Sequence, residues 1–337
     1  PPVRRQKLDL GPFALVGTPP PAGEVADGYA PRRTILDQIL VEGAVAAGAE
    51  LREHFSVQEL LTDGERVTGI RGHTVGGATV TERARVVIGA DGLRSLVARK
   101  VQAQSYNVRP TFTCAFYSYW SDVPVGGAEL YPRPGRMITT VPTNDGQTLV
   151  IVLWPNAAFQ EIRADIEASF LNALELAPSL AERVRNGRRS ERFRGTADLP
   201  NFFRRSAGPG WALVGDAGYH KDPILAQGIS DSFRDAELLA AALDDGLSGR
   251  RSLDDALAGY VRRRDELAAQ GFEMTCQFAT LEPPRPEMQQ LFAALRGNQE
   301  GINRLFGTFA GTVPASAFYA PENLSRMMAA GTQGAPA

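Results

Sequence analysis

The fold is decided by residues 211–240, which read WALVGDAGYHKDPILAQGISDSFRDAELLA. The apolar run Ala212–Val214 predicts a buried strand, and a glycine-punctuated loop then leads into an amphipathic helix. Phosphates and cofactor rings bind where such a strand feeds a loop onto a helix N terminus. Gly215 permits a sharp turn, Asp216 offers a carboxylate to sugar hydroxyls, and Gln227–Gly228 exposes backbone to a flat ring. The stretch therefore predicts a cofactor-binding loop.

A second segment, Val86–Arg99, has the same build. It begins as an apolar strand, breaks at Gly89–Gly92, and continues as a helix with Ser95 in its first turn. A third and weaker element is the helix start Pro31–Leu40. In each segment a strand or a loop leads into a helix, which is where α/β proteins bind ligands.

Together the three segments resemble the aromatic-hydroxylase (p-hydroxybenzoate hydroxylase-like) family of FAD-dependent monooxygenases. Residues 211–240 are similar to that family's second flavin signature: Gly-Asp-Ala, a proline seven residues after the aspartate, Gly-Gln-Gly, and a later Asp-Ala. The matching positions are Asp216, Pro223, Ala226–Gly228 and Asp235–Ala236. The family's Asp-Gly-x-x-Ser-x-x-x-Arg motif is matched by Asp91, Gly92, Ser95 and Arg99.

The sequence departs from the family pattern at three places. Ala226 stands where glycine is usual, and His220 lies one place later than the family's common histidine. The family's opening strand, Gly-x-Gly-x-x-Gly turn and helix are not found, because the nearest string, Gly208–Gly210, precedes a strand. We therefore expect a chain with a truncated N terminus, from which the first βαβ unit is missing.

The resemblance implies an α/β (α+β) fold. A split Rossmann-like FAD-binding domain is interrupted by an antiparallel-sheet substrate domain and followed by a helical C-terminal region. The expected boundaries are 1–104 and 191–270 for the two parts of the FAD-binding domain, 105–190 for the substrate domain, and 271–337 for the helical region.

FAD is the implied cofactor, with NAD(P)H as its reductant. In the family, O₂ adds to the reduced flavin, and the resulting C4a-hydroperoxide hydroxylates or epoxidises a hydrophobic or aromatic small molecule. The expected flavin-binding residues are Arg33, Asp91, Gly92, Gly215, Asp216, Pro223, Gln227 and Gly228. His220 is a candidate base or proton relay, with a simple hydrogen bond to a backbone carbonyl as the alternative.

Strands with short turns follow the Asp-Gly motif and predict an antiparallel sheet. They are expected at Thr111–Asp122, Ala128–Pro132, Arg136–Pro142 and Gln147–Pro155. Alternation along them does not show which face points to the substrate. The candidate substrate residues are Tyr117, Tyr119, Met137 and Trp154, which are alternatively sheet core.

Helical periodicity predicts further elements around these strands. A helix over 32–47 is expected to end at Gly48, and its apolar face consists of Ile35, Leu36, Ile39, Leu40, Ala44 and Ala47. Asp63–Gly64 predicts a hairpin turn. Another helix is expected to begin after Ser252, whose hydroxyl caps it.

Composition excludes several classes of protein. Apolar residues make up 43% and charged residues 22%, and 36 basic against 38 acidic residues leave a net charge of −2. Such a balance leaves no excess of positive charge that would bind nucleic acid. Apolar runs are shorter than the ~20 residues of a membrane span, so no transmembrane segment is expected.

The two cysteines lie far apart in the sequence, which indicates free thiols and a cytoplasmic location. The three histidines form no metal-ligand cluster.

Two alternatives to the monooxygenase remain open at this stage. One is a flavin-dependent reductase or dehydrogenase of the geranylgeranyl-reductase type, which shares the Gly-Asp loop. The other is a non-catalytic truncated remnant that serves as a binding module. A flavin halogenase is disfavoured because the Trp-x-Trp-x-Ile-Pro string is not found. Sequence does not indicate an oligomeric state.

Overall fold

The structure is a computed structural model and describes residues 1–333. Its strands are β1 (Pro2–Val3), β2 (Gln6–Asp9), β3 (Ala14–Gly17), β4 (Gly28–Tyr29), β5 (Phe55–Asp63), β6 (Arg66–Thr74), β7 (Thr79–Arg83), β8 (Val87–Gly89), β9 (Ser105–Arg109), β10 (Thr113–Ser121), β11 (Ala128–Arg133), β12 (Arg136–Pro142), β13 (Thr148–Pro155), β14 (Arg188–Arg189), β15 (Arg194–Thr196), β16 (Asn201–Arg204), β17 (Ala207–Gly208), β18 (Trp211–Leu213) and β19 (Tyr219–His220).

Its α-helices are α1 (Arg33–Ala46), α2 (Leu96–Lys100), α3 (Phe159–Ala164), α4 (Ile166–Leu174), α5 (Pro178–Asn186), α6 (Gly228–Leu247), α7 (Leu253–Ala279), α8 (Pro286–Ala294), α9 (Gln299–Ala310), α10 (Ala315–Phe318) and α11 (Pro321–Gln333). Short 3₁₀ turns lie at Asn144–Gly146, Asn156–Ala158, Gly215–Ala217 and Pro223–Leu225. The α/β class is therefore confirmed. The predicted C-terminal helical region is also confirmed as far as residue 333, and residues 334–337 lie outside the described part of the chain.

The chain folds into two compact units, each assembled from separate stretches. The first unit contains residues 1–39, 112–198 and the described residues from Phe278 onward. The second unit contains residues 40–111 and 199–277. This division differs from the expected boundaries, because both ends of the chain join the inserted sheet.

The first unit is built on a mixed sheet with the strand order β14-β10-β13-β12-β11-β2-β3, and β15 also pairs with β10. The four predicted strands form β10 to β13 and pair antiparallel as expected, in the spatial order β10-β13-β12-β11. Two N-terminal strands extend the sheet, since β2 pairs in parallel with β11 and β3 pairs antiparallel with β2. The short turns set the antiparallel register, whereas the parallel pair needs a long connection.

Packing on the two faces of this sheet explains why the chain ends belong to the first unit. One face is covered by α3, α4 and α5, with Phe170 and Leu174 fully buried against it. On β2 and β3, Leu8 and Leu15 pack against the C-terminal helices through Leu305 and Phe306. Burial of these apolar side chains, about 1.5–3 kcal/mol each, holds both chain ends on the sheet.

The second face of β10 to β13 carries three of the four predicted substrate residues. Strand register places Tyr117, Tyr119 and Met137 on one side, because their cross-strand partners are Ile151, Leu149 and Leu153. Trp154 pairs with Cys114 and points to the opposite side. There it is 5% exposed, and its ring centroid lies 6.0 Å from that of Phe116. The prediction that Trp154 shares a surface with the other three is therefore wrong, and Trp154 belongs to the helix-covered core.

The second unit contains three small sheets. The hairpin strands form the order β5-β6-β7, and β16 lies between β19 and β9. In the third sheet, β18 lies between β17 and β8, and it pairs in parallel with β8. Helices α6 and α7 contribute Leu239, Leu257 and Tyr260 to a core around Ala212 of β18. The predicted cap of α7 is confirmed, because the Asp255 amide donates to Ser252 Oγ at 3.1 Å.

Helix α1 does not bury the apolar face that its sequence predicts. None of its residues is buried, and Ile39 and Leu40 are 59% and 46% exposed. The predicted helix exists, so the spacing of apolar residues was sufficient to predict where the helix lies in the sequence. Periodicity shows that one face is apolar, but a neighbour at that face decides whether the face is buried.

No helix within residues 1–333 is long and apolar enough to cross a membrane. Over the same residues, no group of three or more histidine, cysteine, aspartate or glutamate side chains is placed to hold a metal ion. Cys114 and Cys276 are both buried free thiols.

The position of Trp154 predicts a loss of stability when its ring is removed. Trp154→Ala should lower the free energy of unfolding by about 3–5 kcal/mol, because a buried indole is replaced by a cavity. Leu171→Ala, on α4 of the same unit, is the control, since Leu171 is 39% exposed and should change stability by less than about 0.5 kcal/mol. Urea unfolding measures both. Equal effects of the two substitutions would contradict the core assignment.

Candidate functional site

The two signature loops begin at the same edge of one small sheet. Strands β8 and β18 run in parallel, with Gly89 opposite Leu213. The Val214 amide donates to the Gly89 carbonyl at 3.0 Å, which extends the pairing to the point where both strands end. Ligands of α/β proteins bind outside the carboxyl ends of parallel strands. The geometry therefore brings together two loops that are more than a hundred residues apart in the chain.

In the first loop, Asp91 folds back onto the helix that follows it. Its Oδ2 accepts hydrogen bonds from the backbone amides of Leu96 at 2.6 Å and Val97 at 3.2 Å. Ser95 caps α2, since Ser95 Oγ accepts from the Ala98 amide at 2.9 Å. Gly92 has a φ of +72°, a conformation that glycine adopts without strain. The carboxylate of Asp91 thus fixes the shape of its own loop.

The second loop turns at Gly215, whose φ is +59°. A Cβ at this position would lie 3.1 Å from Ser232 Oγ on α6, so glycine also permits the close approach of the loop to the helix. Asp216 follows at the turn and is exposed. Within residues 1–333 its carboxylate forms no hydrogen bond or ion pair, which leaves it available to a ligand.

Arg204 joins the two loops and carries no motif signal in the sequence. Its Nη1 donates to the Ala217 carbonyl at 2.9 Å and to the Leu93 carbonyl at 3.4 Å. The guanidinium also lies 4.2 Å from the centroid of the Phe202 ring. Burial lowers the pKa of Arg204, and the nearby Asp91 carboxylate opposes that effect. A single guanidinium thus holds both loop backbones in place.

The loop from His220 to Gly228 is anchored by a buried asparagine. Asn201 is fully buried, its Oδ1 accepts from the Asp222 amide at 2.7 Å, and its Nδ2 donates to the Pro110 carbonyl at 2.8 Å. Asp222 in turn accepts from the Ile224 amide at 3.0 Å and caps the 3₁₀ turn that Pro223 begins. Proline fixes φ at this first position, so Pro223 shapes the loop.

The end of this loop presents the N terminus of α6. Ala226, which replaces the family's usual glycine, adopts a left-handed conformation with a φ of +54°. Gln227 precedes the helix, and no side chain of the described residues caps the helix at that position. Around Gly228, an added Cβ would meet nothing within 4 Å. Gly228, Ile229 and Ser230 are all exposed, so a ligand has access to the start of α6.

Lys221 is a buried charge that the sequence analysis did not single out. Its Nζ donates to Gln227 Oε1 at 2.7 Å and forms an ion pair with Asp231 Oδ2 at 2.9 Å. Burial lowers the pKa of Lys221, and the Asp231 carboxylate opposes that change. The ammonium group links the loop to the first turn of α6. Lys221 lies shortly after the Gly-Asp turn, and this position is a weak sequence signal that it belongs to the site.

His220 forms the hydrogen bond that was considered as its alternative role. Its Nδ1 lies against the carbonyl oxygen of Pro200, which can only accept, so Nδ1 carries a proton in this hydrogen bond. The ring stacks on Phe202, with 6.1 Å between the centroids. This geometry gives His220 a structural role. A catalytic role stays a prediction.

The remaining predicted residues belong to the first unit. Arg33 begins α1, where its Nε donates to Asp37 Oδ1 at 2.8 Å. Tyr117 and Tyr119 pack edge to face, with 6.0 Å between the ring centroids. The Arg32 guanidinium lies 4.5 Å above the Tyr119 ring and pairs with Glu191. This part of the sheet offers an aromatic surface edged by charge.

Comparison with known proteins identifies the family. Residues 30–275 match the sequence profile described as FAD binding domain. The chain belongs to this family. Among curated relatives, tryptophan 2-halogenase of Chondromyces crocatus is 25% identical over 241 residues, which is 68% of this chain and 46% of the relative. Kynurenine 3-monooxygenase of Cytophaga hutchinsonii is 25% identical over 262 residues, 70% of this chain and 54% of that protein.

A third relative, digeranylgeranylglycerophospholipid reductase of Methanosarcina acetivorans, is 27% identical over 270 residues, 75% of this chain and 62% of the relative. The chain thus spans about half to three-fifths of the length of these curated relatives. Solved structures share the fold. The myxobacterial chondrochloren halogenase has a TM-score of 0.76 at 21% identity, covering 100% of this chain and 83% of that chain. A flavoprotein/dehydrogenase from Cytophaga hutchinsonii has a TM-score of 0.80 at 16% identity, covering 99% and 83%.

The residues present fit the cofactor for which the family is named. The exposed Asp216 carboxylate can accept hydrogen bonds from hydroxyl groups of FAD, and the open N terminus of α6 at Gly228 can donate to an electron-rich ring edge. The assignment of FAD from the sequence is therefore confirmed at the level of the family. The individual contacts of Arg33, Asp91, Gly92, Gly215, Asp216, Pro223, Gln227 and Gly228 with FAD stay predictions.

We predict that Asp216→Ala weakens FAD binding without unfolding the protein. Loss of one hydrogen bond of about 0.5–1.5 kcal/mol should raise the dissociation constant about 2- to 12-fold. Thermal stability should not change, since Asp216 is exposed and has no bonded partner in residues 1–333. Asp63→Ala, which removes the same charge from the exposed end of β5, is the control. Unchanged affinity in an absorbance titration of Asp216→Ala would contradict this role.

The left-handed conformation of Ala226 predicts a stabilising substitution. The strain of a Cβ at positive φ is about 1–2 kcal/mol, and the extra freedom of glycine in the unfolded chain offsets about 0.4–1 kcal/mol of it. Ala226→Gly should therefore raise stability slightly or leave it unchanged. Ala240→Gly, in the exposed interior of α6, should lower it by about 1 kcal/mol. Equal destabilisation of both variants in thermal unfolding would show that Ala226 is not strained.

Proposed function

We propose that this chain is part of an FAD-dependent monooxygenase that uses NAD(P)H and O₂ to hydroxylate or epoxidise a hydrophobic or aromatic small molecule. The observation that carries the proposal is the pair of signature loops at the ends of β8 and β18, which Arg204 ties together. The relationship to kynurenine 3-monooxygenase supports oxygen transfer to an aromatic compound.

Each part of the cofactor has a place in this proposal. Asp216 binds the ribityl hydroxyls, and the Gly228 end of α6 faces the flavin ring through its amides. Asp91 and Gly92 shape the backbone beside the pyrophosphate, and Arg33 lies beside the flavin. Bound FAD supplies the redox chemistry and the reaction with O₂. The protein contributes position, charge and exclusion of water.

The proposed substrate surface consists of Tyr117, Tyr119 and Met137. Their shared face is apolar and aromatic, and the perpendicular rings of Tyr117 and Tyr119 form an angled aromatic surface that an aromatic substrate can pack against. His220 Nε2 is available to accept a proton during the reaction, because Nδ1 is held by Pro200. The buried free thiols Cys114 and Cys276 support a cytoplasmic location.

A second function is favoured by one specific observation. Several of the curated relatives are digeranylgeranylglycerophospholipid reductases, which match this chain at 27–28% identity. A reductase adds hydrogen to a carbon–carbon double bond and needs no oxygen. The Gly-Asp loop is compatible with both reactions, so the product distinguishes them.

Incorporation of ¹⁸O into the product distinguishes the monooxygenase from the reductase. Protein expressed from the complete gene and loaded with FAD should, with NAD(P)H and an aromatic substrate under ¹⁸O₂, give product that contains ¹⁸O. Protein without added FAD is the negative control. Product without the label, or equal product under anaerobic conditions, would favour the reductase. No product from a broad substrate panel, together with no reduction of bound FAD by NAD(P)H, would favour a binding module.

A further inference from the structure

Three buried side-chain oxygens of the second unit have hydrogen-bonding capacity that the described residues leave unused. They are Tyr219 Oη, Asp231 Oδ2 and Asp235 Oδ2. Tyr219 and Asp235 are 3% and 0% exposed, so bulk water does not reach them. Asp231 Oδ2 is paired with the Lys221 ammonium and still has an unused lone pair. Buried polar atoms are nearly always satisfied in native proteins, so this cluster requires an explanation.

The three residues line one cavity, which we call the inner cavity. Its volume is about 20 Å³. Its walls are Gly215, Asp216, Tyr219, Lys221, Gly228, Asp231, Ser232 and Asp235. A buried water requires about 10–15 Å³ of room and two to four polar partners. The inner cavity meets both requirements, and it is too small for an organic ligand.

The hydrogen-bonding capacities of the three atoms are complementary to one water molecule. A tyrosine hydroxyl donates one hydrogen, and each carboxylate oxygen accepts. We propose that the inner cavity binds one ordered water, which accepts from Tyr219 Oη and donates to Asp235 Oδ2 and Asp231 Oδ2. The three bonds equal the number that buried waters usually form. The burial that raises the pKa of Tyr219 keeps its hydroxyl protonated as a donor, and both carboxylates reinforce that direction.

Charge around the inner cavity favours a neutral occupant over a cation. Asp231 pairs with Lys221 at 2.9 Å and with Arg234 at 2.9 Å. Asp235 pairs with Arg234 at 2.7 Å. Asp231 and Asp235 are thus balanced by two cations, and Asp216, the third carboxylate of the wall, is exposed to solvent. The buried part of the inner cavity therefore has no net negative charge to hold an additional ion.

The water connects the Gly-Asp loop with α6. Tyr219 lies in β19, directly after the turn at Gly215, whereas Asp231 and Asp235 lie in the first two turns of α6. The bridge therefore fixes the N-terminal end of α6, which begins at Gly228, relative to the loop. This is a positioning role that exists without FAD. It is independent of the proposed reaction and remains testable if that reaction is wrong.

The first test is crystallographic and uses the unaltered chain. At a resolution near 1.6 Å, we expect a water peak within hydrogen-bond distance of Tyr219 Oη and Asp235 Oδ2. Crystals soaked in rubidium chloride should show no anomalous peak there. A rubidium peak, or a direct hydrogen bond between Tyr219 and Asp235 with no water, would overturn the proposal.

The second test compares two buried tyrosines in solution. Tyr260 is the matched control, because it is 3% exposed and its hydroxyl donates directly to the Leu213 carbonyl at 2.8 Å. If the water is bound, Tyr219→Phe and Tyr260→Phe should each lower the Tm by roughly 2–4 °C. In a dry cavity the Tyr219 hydroxyl would have no partner to lose. An unchanged or raised Tm for Tyr219→Phe alone would then contradict the proposal.

The third test shows which backbone amides are destabilised when the Tyr219 hydroxyl is removed. Tyr219→Phe should speed hydrogen exchange of the amides of residues 229–235 by a factor of about 2–10, the size expected for one lost hydrogen bond. Tyr260→Phe should leave the exchange of these amides unchanged relative to the rest of α6. Equal exchange rates at residues 229–235 in Tyr219→Phe and the unaltered protein would show that no water joins the loop to the helix.

Discussion

The parallel pairing of β8 with β18 is the constraint on which the candidate site depends. Three residues in each strand set the register, and the strands end together at Gly89 and Leu213. Asp91–Gly92 and Gly215–Asp216 follow these ends, so one short pairing determines where both loops begin. A shift of the register by one residue would turn every side chain of β18 to the opposite face, and the buried Ala212 and Leu213 would lose their contacts.

Buried polar groups hold this arrangement where apolar packing cannot. Arg264 is fully buried and donates to the carbonyls of Gly218 and Arg204 at 3.1 and 3.0 Å, and to Ser206 Oγ at 3.1 Å. Asp265 forms an ion pair with the Arg264 guanidinium, and its negative charge compensates the buried positive charge of Arg264. A guanidinium with several fixed donors satisfies backbone carbonyls that a turn leaves unpaired. Arg264, Arg204 and Asn201 thus hold the irregular loop backbone through side-chain hydrogen bonds.

Several elements could be predicted from the sequence because their signals are local. Apolar runs ended by glycine placed β8 and β18, and short polar turns placed β10 to β13 in antiparallel order. The motif spacing identified the family and therefore FAD. Arg204, Lys221 and Asn201 were missed, since their roles depend on carbonyls and carboxylates that lie elsewhere in the sequence. Trp154 was misplaced because alternation shows that a strand has two faces without showing which neighbour covers each face.

The sequence by itself determined the helix over 32–47, the strands β8, β18 and β10 to β13, and the chemistry of the Gly-Asp and Asp-Gly loops. These properties follow from backbone freedom at glycine and proline and from the period of apolar residues, both of which act over a few neighbouring positions. Tertiary structure alone decided that both chain ends join the inserted sheet, that the α1 face is exposed, and that Tyr219, Asp231 and Asp235 surround one cavity. Burial and hydrogen bonding between distant residues depend on contacts that no local pattern contains.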